Sequence, residues 1–229
     1  MSVISCPVFK NSKFTYRFSS MISYGYFGDL MSRSERYRWL GPKRYDISGV
    51  RTFLGNRGYI GNISYKEAVD ETSSATIHEQ CKSDCQKCQE KSEENNRQTD
   101  NEKLVKSKEL AGKFTVVTGA CTKCASRFTP KGLSPGAHLG DGLVDLILVS
   151  KTSRMNYFRY LFRSAYLTSD PFDLPFVERI KVQEFTFMPP EGHKKKTSVW
   201  NCDGEILDSP KIHVKVHCQL LPVFARGPD

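Results

Sequence analysis

The sequence predicts a mainly β domain: an antiparallel β-sandwich or distorted barrel with one or two helices, interrupted by a disordered polar insertion. Three observations predict it. Aliphatic, β-branched and aromatic runs recur at Lys113-Phe-Thr-Val-Val117, Leu143-Val-Asp-Leu-Ile-Leu-Val149 and Val177 to Met188. Lys211-Ile-His-Val-Lys-Val-His-Cys-Gln-Leu220 alternates apolar and polar residues at period two, as a half-exposed antiparallel strand does. The best helical stretch is a single one, Ser153 to Ala165.

Taken in order, residues 1–13 form an atypical N-terminal segment and 14–229 the domain. Phe14-Thr-Tyr-Arg-Phe18, Ile22-Ser-Tyr-Gly-Tyr-Phe27 and Tyr59-Ile-Gly-Asn-Ile-Ser-Tyr65 read as strands. Between the last two, Ser32 to Leu54 mixes Arg, Tyr, Trp and Leu at helix-compatible spacing, and Pro42 splits it into two short helices around a turn. From about 66 to 108 the composition shifts to Glu, Lys, Ser, Asn and Gln, with almost nothing large and apolar, so this insertion is expected to be mobile apart from its cysteines. In Ser153 to Ala165, Met155, Phe158, Leu161 and Phe162 share one arc, read as the face that packs on a sheet, with Arg159 and Arg163 beside it. The same stripe has the basic amphipathic form of calmodulin targets and membrane-surface helices, which makes 151–166 a candidate for either partner.

Composition narrows the function classes. The chain has 229 residues, 38% of them hydrophobic, and a formal charge of +9. That is enough apolar material for an ordinary core, and the charge suggests an acidic partner: nucleic acid, anionic lipid or a nucleotide polyphosphate. The longest aliphatic stretch, Leu146 to Val149, is far short of the roughly 18–20 residues that span a bilayer, and Met1 to Pro7 lacks the pattern of a secretory signal. The expected location is cytoplasmic and reducing, peripheral on intracellular membranes, where cysteines act as thiols or metal ligands. There is no Gly-rich phosphate loop, no Gly-Gly pair, no nucleophile elbow and no His-Glu-x-x-His, so a complete nucleotide-dependent enzyme is hard to assemble from these residues.

Several clusters could carry chemistry. Cys81-x3-Cys85-x2-Cys88, followed by Cys121-x2-Cys124, could supply four thiolates to a tetrahedral zinc, serve in redox chemistry, or be bare loop thiols. Asp141-Gly142 and Asp203-Gly204-Glu205 fit hairpin turns, and their oxygens also suit a hard cation or a metal-bound phosphate. Arg38 and Arg44 flank Gly41-Pro42, where their guanidinium forks either converge on one polyphosphate or form a solvated basic face. The densest basic run, Lys194-Lys-Lys196, has no interleaved aromatic residue, which argues against nucleic acid.

Read together, Ser23-Tyr-Gly-Tyr-Phe-Gly-Asp29, Ser34-Glu-Arg-Tyr-Arg-Trp-Leu-Gly41 with Arg44-Tyr-Asp46, Gly132-Leu-Ser-Pro-Gly-Ala-His-Leu-Gly-Asp-Gly142 and Trp200-Asn-Cys-Asp-Gly-Glu205 resemble the ceramide kinases, within the diacylglycerol and sphingosine kinase superfamily. The Cys-x3-Cys-x2-Cys pattern and the tail from Val216 resemble that branch too, whereas Met1 to Asn11 do not. The resemblance implies the C-terminal β-sandwich of a two-domain enzyme that transfers the γ-phosphoryl of ATP, with magnesium, to ceramide. The Gly-Gly-Asp-Gly half would be elsewhere, and this chain alone would be inactive. It also implies roles: Arg38 and Arg44 for the nucleotide phosphates, Asp203, Gly204 and Glu205 for closing over the nucleotide, and Glu205 as runner-up general base. Asp29 would face the lipid headgroup, and His138, Asp141 and Leu143 would hold a structural magnesium. The competing expectation is a non-catalytic, zinc-stapled basic module that binds anionic membranes or nucleic acid.

Overall fold

The computed structural model describes residues 3–10, 12–18, 20–67, 107–126, 129–137, 140–166, 170–190, 197–207 and 209–217. Its strands are β1 (Val3–Lys10), β2 (Ser12–Phe18), β3 (Met21–Gly25), β4 (Tyr59–Glu67), β5 (Ser107–Ala120), β6 (Val144–Ser150), β7 (Val177–Met188), β8 (Trp200–Cys202), β9 (Glu205–Leu207) and β10 (Ile212–His217). The α-helices are α1 (Tyr26–Ser34), α2 (Lys43–Gly55) and α3 (Arg154–Ala165), with a 3-10 segment at Glu35–Leu40. The expected mainly β class holds, and the described residues carry three α-helices where one or two were expected.

Strands β4, β5, β6 and β7 pair in that order, and β7 pairs back with β4, which closes a four-stranded antiparallel barrel. One extension leaves the barrel from β5 through β3 and β8 to β9, and another from β7 through β10 and β1 to β2. Successive residues of a strand point to opposite faces, so Val117, Leu146 and Leu148 enter one core cluster while Val116 and Val149 enter another. Both faces of β6 are therefore covered, which explains why its sequence is a continuous aliphatic run instead of an alternating one. In the larger cluster the rings of Tyr24, Phe187 and Trp200 meet at centroid distances of 4.7–5.5 Å.

Three expectations are corrected. The strand read over Ile22–Phe27 stops at Gly25, and Tyr26 opens α1. Gly25 has φ +83°, and a Cβ there would lie 2.3 Å from the Thr115 carbonyl oxygen, so only glycine makes this strand-to-helix corner. The packing arc of α3 is the second: Tyr157 and Tyr160 are buried, with Leu161 of the expected arc packed beside them, against Val116, Val149, Leu174 and Val177, while Met155, Phe158 and Phe162 are exposed. Two phenol rings displace most of the expected apolar stripe because they fill the wedge between α3, α1 and α2, where Tyr157 meets Tyr26 and Phe53. Third, β4 and β5 run into the expected insertion as far as Glu67 and from Ser107, with Lys66 paired to Ser107. The remainder of the insertion, 68–106, lies outside the described residues, as do its Cys81, Cys85 and Cys88 and the Lys194–Lys196 run.

Candidate functional site

Asp29 sits in the first turn of α1, where the helix dipole favours a carboxylate. Its approach to the barrel depends on Gly28, whose Cβ position lies 2.0 Å from the Val199 carbonyl oxygen. One carboxylate oxygen accepts the Tyr59 hydroxyl, and the other lies 2.5 Å from Ser198 Oγ. Burial, and then the Asp29 carboxylate it donates to, hold the Tyr59 phenol well above its ordinary range. It is thus a fixed donor. Tyr24, pushed up to about 12 mainly by burial, accepts the Ser198 backbone N–H at 2.9 Å.

Asp29 and Tyr59 line a cavity of about 10 Å³, with Arg57 at its rim and Thr52, Asn56, Thr115 and Tyr157 in its wall. That is the room of roughly one water or one hydroxyl. Thr52 Oγ1, Asn56 Oδ1, Thr115 Oγ1 and the Tyr157 hydroxyl are buried and have no hydrogen-bond partner among the described residues. Each such group costs on the order of 1–3 kcal/mol unless something polar reaches it. Four residues with such atoms line one cavity next to a carboxylate.

Arg38 and Arg44 come together. Arg38 Nε lies 3.3 Å from one oxygen of Glu35 and Arg44 Nη1 lies 3.5 Å from the other. Arg38 sits in the 3-10 segment and Arg44 in the first turn of α2, on either side of the Gly41-Pro42 turn. Arg44 also covers the Tyr45 ring at 4.7 Å and donates to its hydroxyl at 2.6 Å. The Arg38 side chain is 74% exposed and Glu35 45%. The exposed Arg38–Glu35 pair is worth about 0.2–1 kcal/mol, so a multiply charged anion can displace the carboxylate from Arg38 at little cost, whereas the Arg44 side chain is only 19% exposed.

Asp203 and Gly204 form the two-residue hairpin turn between β8 and β9, with φ +46° and +101° as a primed turn requires. The Asp203 carboxylate accepts the backbone N–H of Met21 at 2.9 Å and of Ser20 at 3.2 Å, so it clamps the start of β3. Glu205 is exposed on β9. At the other Asp-Gly turn, Asp141 Oδ1 accepts the Leu143 N–H at 2.9 Å, and Oδ2 lies 3.5 Å from Lys181 Nζ. Leu143 thus offers its N–H to that carboxylate. His138 lies outside the described residues.

Burial pushes the Cys121 thiol well up, with Cys124 the next cause, and raises Cys124 as well. Metals bind thiolates, and Cys121 belongs to the apolar core while Cys124 Sγ contacts the Ser20 carbonyl at 3.5 Å. Among the described residues no group of three or more His, Cys, Asp or Glu could hold a metal ion. The zinc expectation therefore gains no support from the two cysteines that are placed.

Sequence reasoning missed Glu35, Arg57, Tyr59, Ser198 and Lys181. Glu35 was legible as the acid inside Ser34-Glu-Arg-Tyr-Arg38. Ser198 reaches Asp29 across 169 residues, and no local signal announces that.

The ceramide kinase C-terminal domain model matches residues 18–228. The chain is 38% identical to human ceramide kinase over 91% of its own length and 45% of that protein. It is 33% identical to the Arabidopsis thaliana ceramide kinase over 92% of itself and 37% of that protein. It therefore spans less than half the length of these relatives. A crystal structure assigned as a diacylglycerol kinase from Bacillus anthracis str. Sterne superposes with a TM-score of 0.51 at 13% identity, over 95% of this chain and 54% of that one, and shows the shared fold. The closed barrel, the quoted motifs and the match over 18–228 have one reading: the chain belongs to the ceramide kinase C-terminal domain family.

Proposed function

We propose that this chain is the headgroup-facing and nucleotide-closing half of an enzyme that phosphorylates ceramide with ATP. The carrying observation is the cavity at Asp29, a space the size of one hydroxyl lined by four residues that each bury a polar atom without a partner. The ceramide headgroup is uncharged and bears hydroxyls and an amide, which suits a wall of hydroxyl and amide groups. Asp29, held by Tyr59 and Ser198, orients the hydroxyl that enters.

Arg38 and Arg44 take the nucleotide phosphates by leaving Glu35. Phosphoryl transfer depends chiefly on positioning and charge neutralisation, and two forks on one turn offer both. ATP supplies the transferable group and magnesium neutralises its phosphates when bound. Glu205 stands second to a proton acceptor in a preceding α/β domain, and the Asp203 clamp keeps its hairpin in place.

Membrane association fits the helical layer. Ile47, Val50 and Leu54 on α2 and Met155, Phe158 and Phe162 on α3 are exposed, with Arg51, Arg154 and Arg159 beside them. Apolar side chains ringed by arginines suit an anionic bilayer surface. No helix among the described residues is long and apolar enough to cross a membrane. The same α3 stripe would suit a calmodulin groove at 151–166, and vesicle sedimentation with and without calcium-loaded calmodulin separates the two partners.

The test of the main reading uses ATP, magnesium and ceramide in mixed micelles. The chain alone should not turn over, because no Gly-Gly phosphate loop exists in it. Fused to an α/β domain carrying Gly-Gly-Asp-Gly it should, and Asp29→Asn should abolish that turnover. Activity of the chain alone, or an Asp29→Asn fusion as active as its parent, overturns the assignment.

A further inference from the structure

We propose that the cation of the Asp141 loop is the Lys181 ammonium of this chain, and that the fold needs no divalent metal there. Lys181 on β7 stands directly opposite Asp145 on β6 in the antiparallel register. Its Nζ lies 3.4 Å from Asp145 Oδ1 and 3.5 Å from Asp141 Oδ2, and donates to the Gly136 carbonyl at 3.2 Å. One of its N–H donors bonds the Gly136 carbonyl, and both carboxylates lie within ion-pair distance, the Asp145 oxygen being held by charge and accepting no hydrogen bond.

The donor set does not fit magnesium, which demands near-octahedral oxygen coordination at about 2.0–2.1 Å. Lys181 Nζ already lies between the Asp141 and Asp145 carboxylates and the Gly136 carbonyl, so the position a cation would take between the two acids holds an ammonium. A divalent ion placed among them would sit against a positive charge. Asp145 is 1% exposed, and a carboxylate at that depth requires a compensating charge, which the lysine opposite it supplies. Ser134, Gly136 and Asp141 belong to one loop, so Lys181 fastens that loop to the barrel.

The experiment is thermal unfolding of the 229-residue chain in EDTA and in millimolar MgCl2, with Lys181→Met and Asp141→Asn beside the parent. The parent should melt at the same temperature in both buffers, and Lys181→Met should melt lower by about 6–20 °C in EDTA, the shift expected when a buried carboxylate loses its partner in a chain of this size. A saturable rise of the parent's melting temperature with MgCl2 that Asp141→Asn removes would overturn the proposal, as would a Lys181→Met chain that melts like the parent. Should Lys181→Met fail to fold, the parent is titrated with Mn²⁺ and read by electron paramagnetic resonance. No stoichiometric binding is expected, and one Mn²⁺ per chain that is lost in Asp141→Asn sinks the idea.

Discussion

The barrel and the helical layer beside it treat their residues in opposite ways. Inside the barrel Ile63, Leu146, Leu148, Val182, Phe185 and Phe187 are essentially inaccessible and pack on one another. In the helical layer, large apolar side chains on α2 and α3 face outward, and four residues lining the Asp29 cavity each bury a polar atom without a partner. A core that satisfies itself has little left for a ligand. The layer that leaves groups unsatisfied at its inner edge and apolar at its outer one is where binding belongs.

Breaking the barrel should have the largest effect. Phe187→Ala opens a hole beside Tyr24 and Trp200 and should lower stability by about 3–5 kcal/mol, read by urea denaturation. Next comes the joint between the regions. Gly28→Ala drives a methyl into the Val199 carbonyl and should cost about 3 kcal/mol while moving Asp29 off Ser198, so a fusion carrying it should lose ceramide turnover along with stability.

Arg44→Ala sharpens the contrast from the other side. The Arg44 side chain is 19% exposed and lies over the Tyr45 ring, so its loss should cost roughly 1–2 kcal/mol of stability while the KM for ATP of an active fusion rises about tenfold or more. Replacing Phe158 and Phe162 together by Ser removes two half-buried rings that meet Phe53 and Tyr166, and should cost roughly 1–2 kcal/mol while weakening binding to anionic vesicles severalfold. A larger loss would mean that the outer face packs against more of the chain than Phe53 and Tyr166.

The smallest effect expected is a pH dependence at the β7–β10 seam, where His213 Nδ1 lies 2.9 Å from Thr186 Oγ1. Burial lowers the His213 pKa below the ordinary 6.5, against a raising influence from Glu184. The folded state then binds fewer protons than the unfolded one just below that value. The contribution is complete above about pH 6.5 and falls away as pH drops through the folded pKa. A His213→Gln chain should show a flatter stability profile between about pH 5 and 7.

The parts of the fold legible in the chain are those set by local periodicity. β6, β7 and β10 were readable as strands, α3 as a helix and Asp203-Gly204 as a hairpin turn, since each depends on neighbours within a few residues. Pro42 does fall between the 3-10 segment and α2. The corner at Gly25 was not readable, because the Thr115 carbonyl that forbids a side chain there comes from β5. Nor was the exposed face of α3, since an apolar stripe has the same spacing whether a sheet or solvent faces it. In the candidate site, Arg38 and Arg44 were singled out by their spacing across Gly41-Pro42 and Asp29 through motif resemblance. Their partners Tyr59, Ser198 and Glu35 needed coordinates.

The amino-acid order by itself determined the strand periods, the turn residues, the net positive charge and the family motifs, because these are properties of neighbouring positions. Barrel closure of β7 onto β4, the burial of Tyr157 and Tyr160 in place of most of the expected apolar stripe, and the placing of Lys181 against Asp141 and Asp145 were decided only by the tertiary structure. Such pairings join residues far apart in the chain. Which of them form depends on the register and on the space left once the other elements have packed.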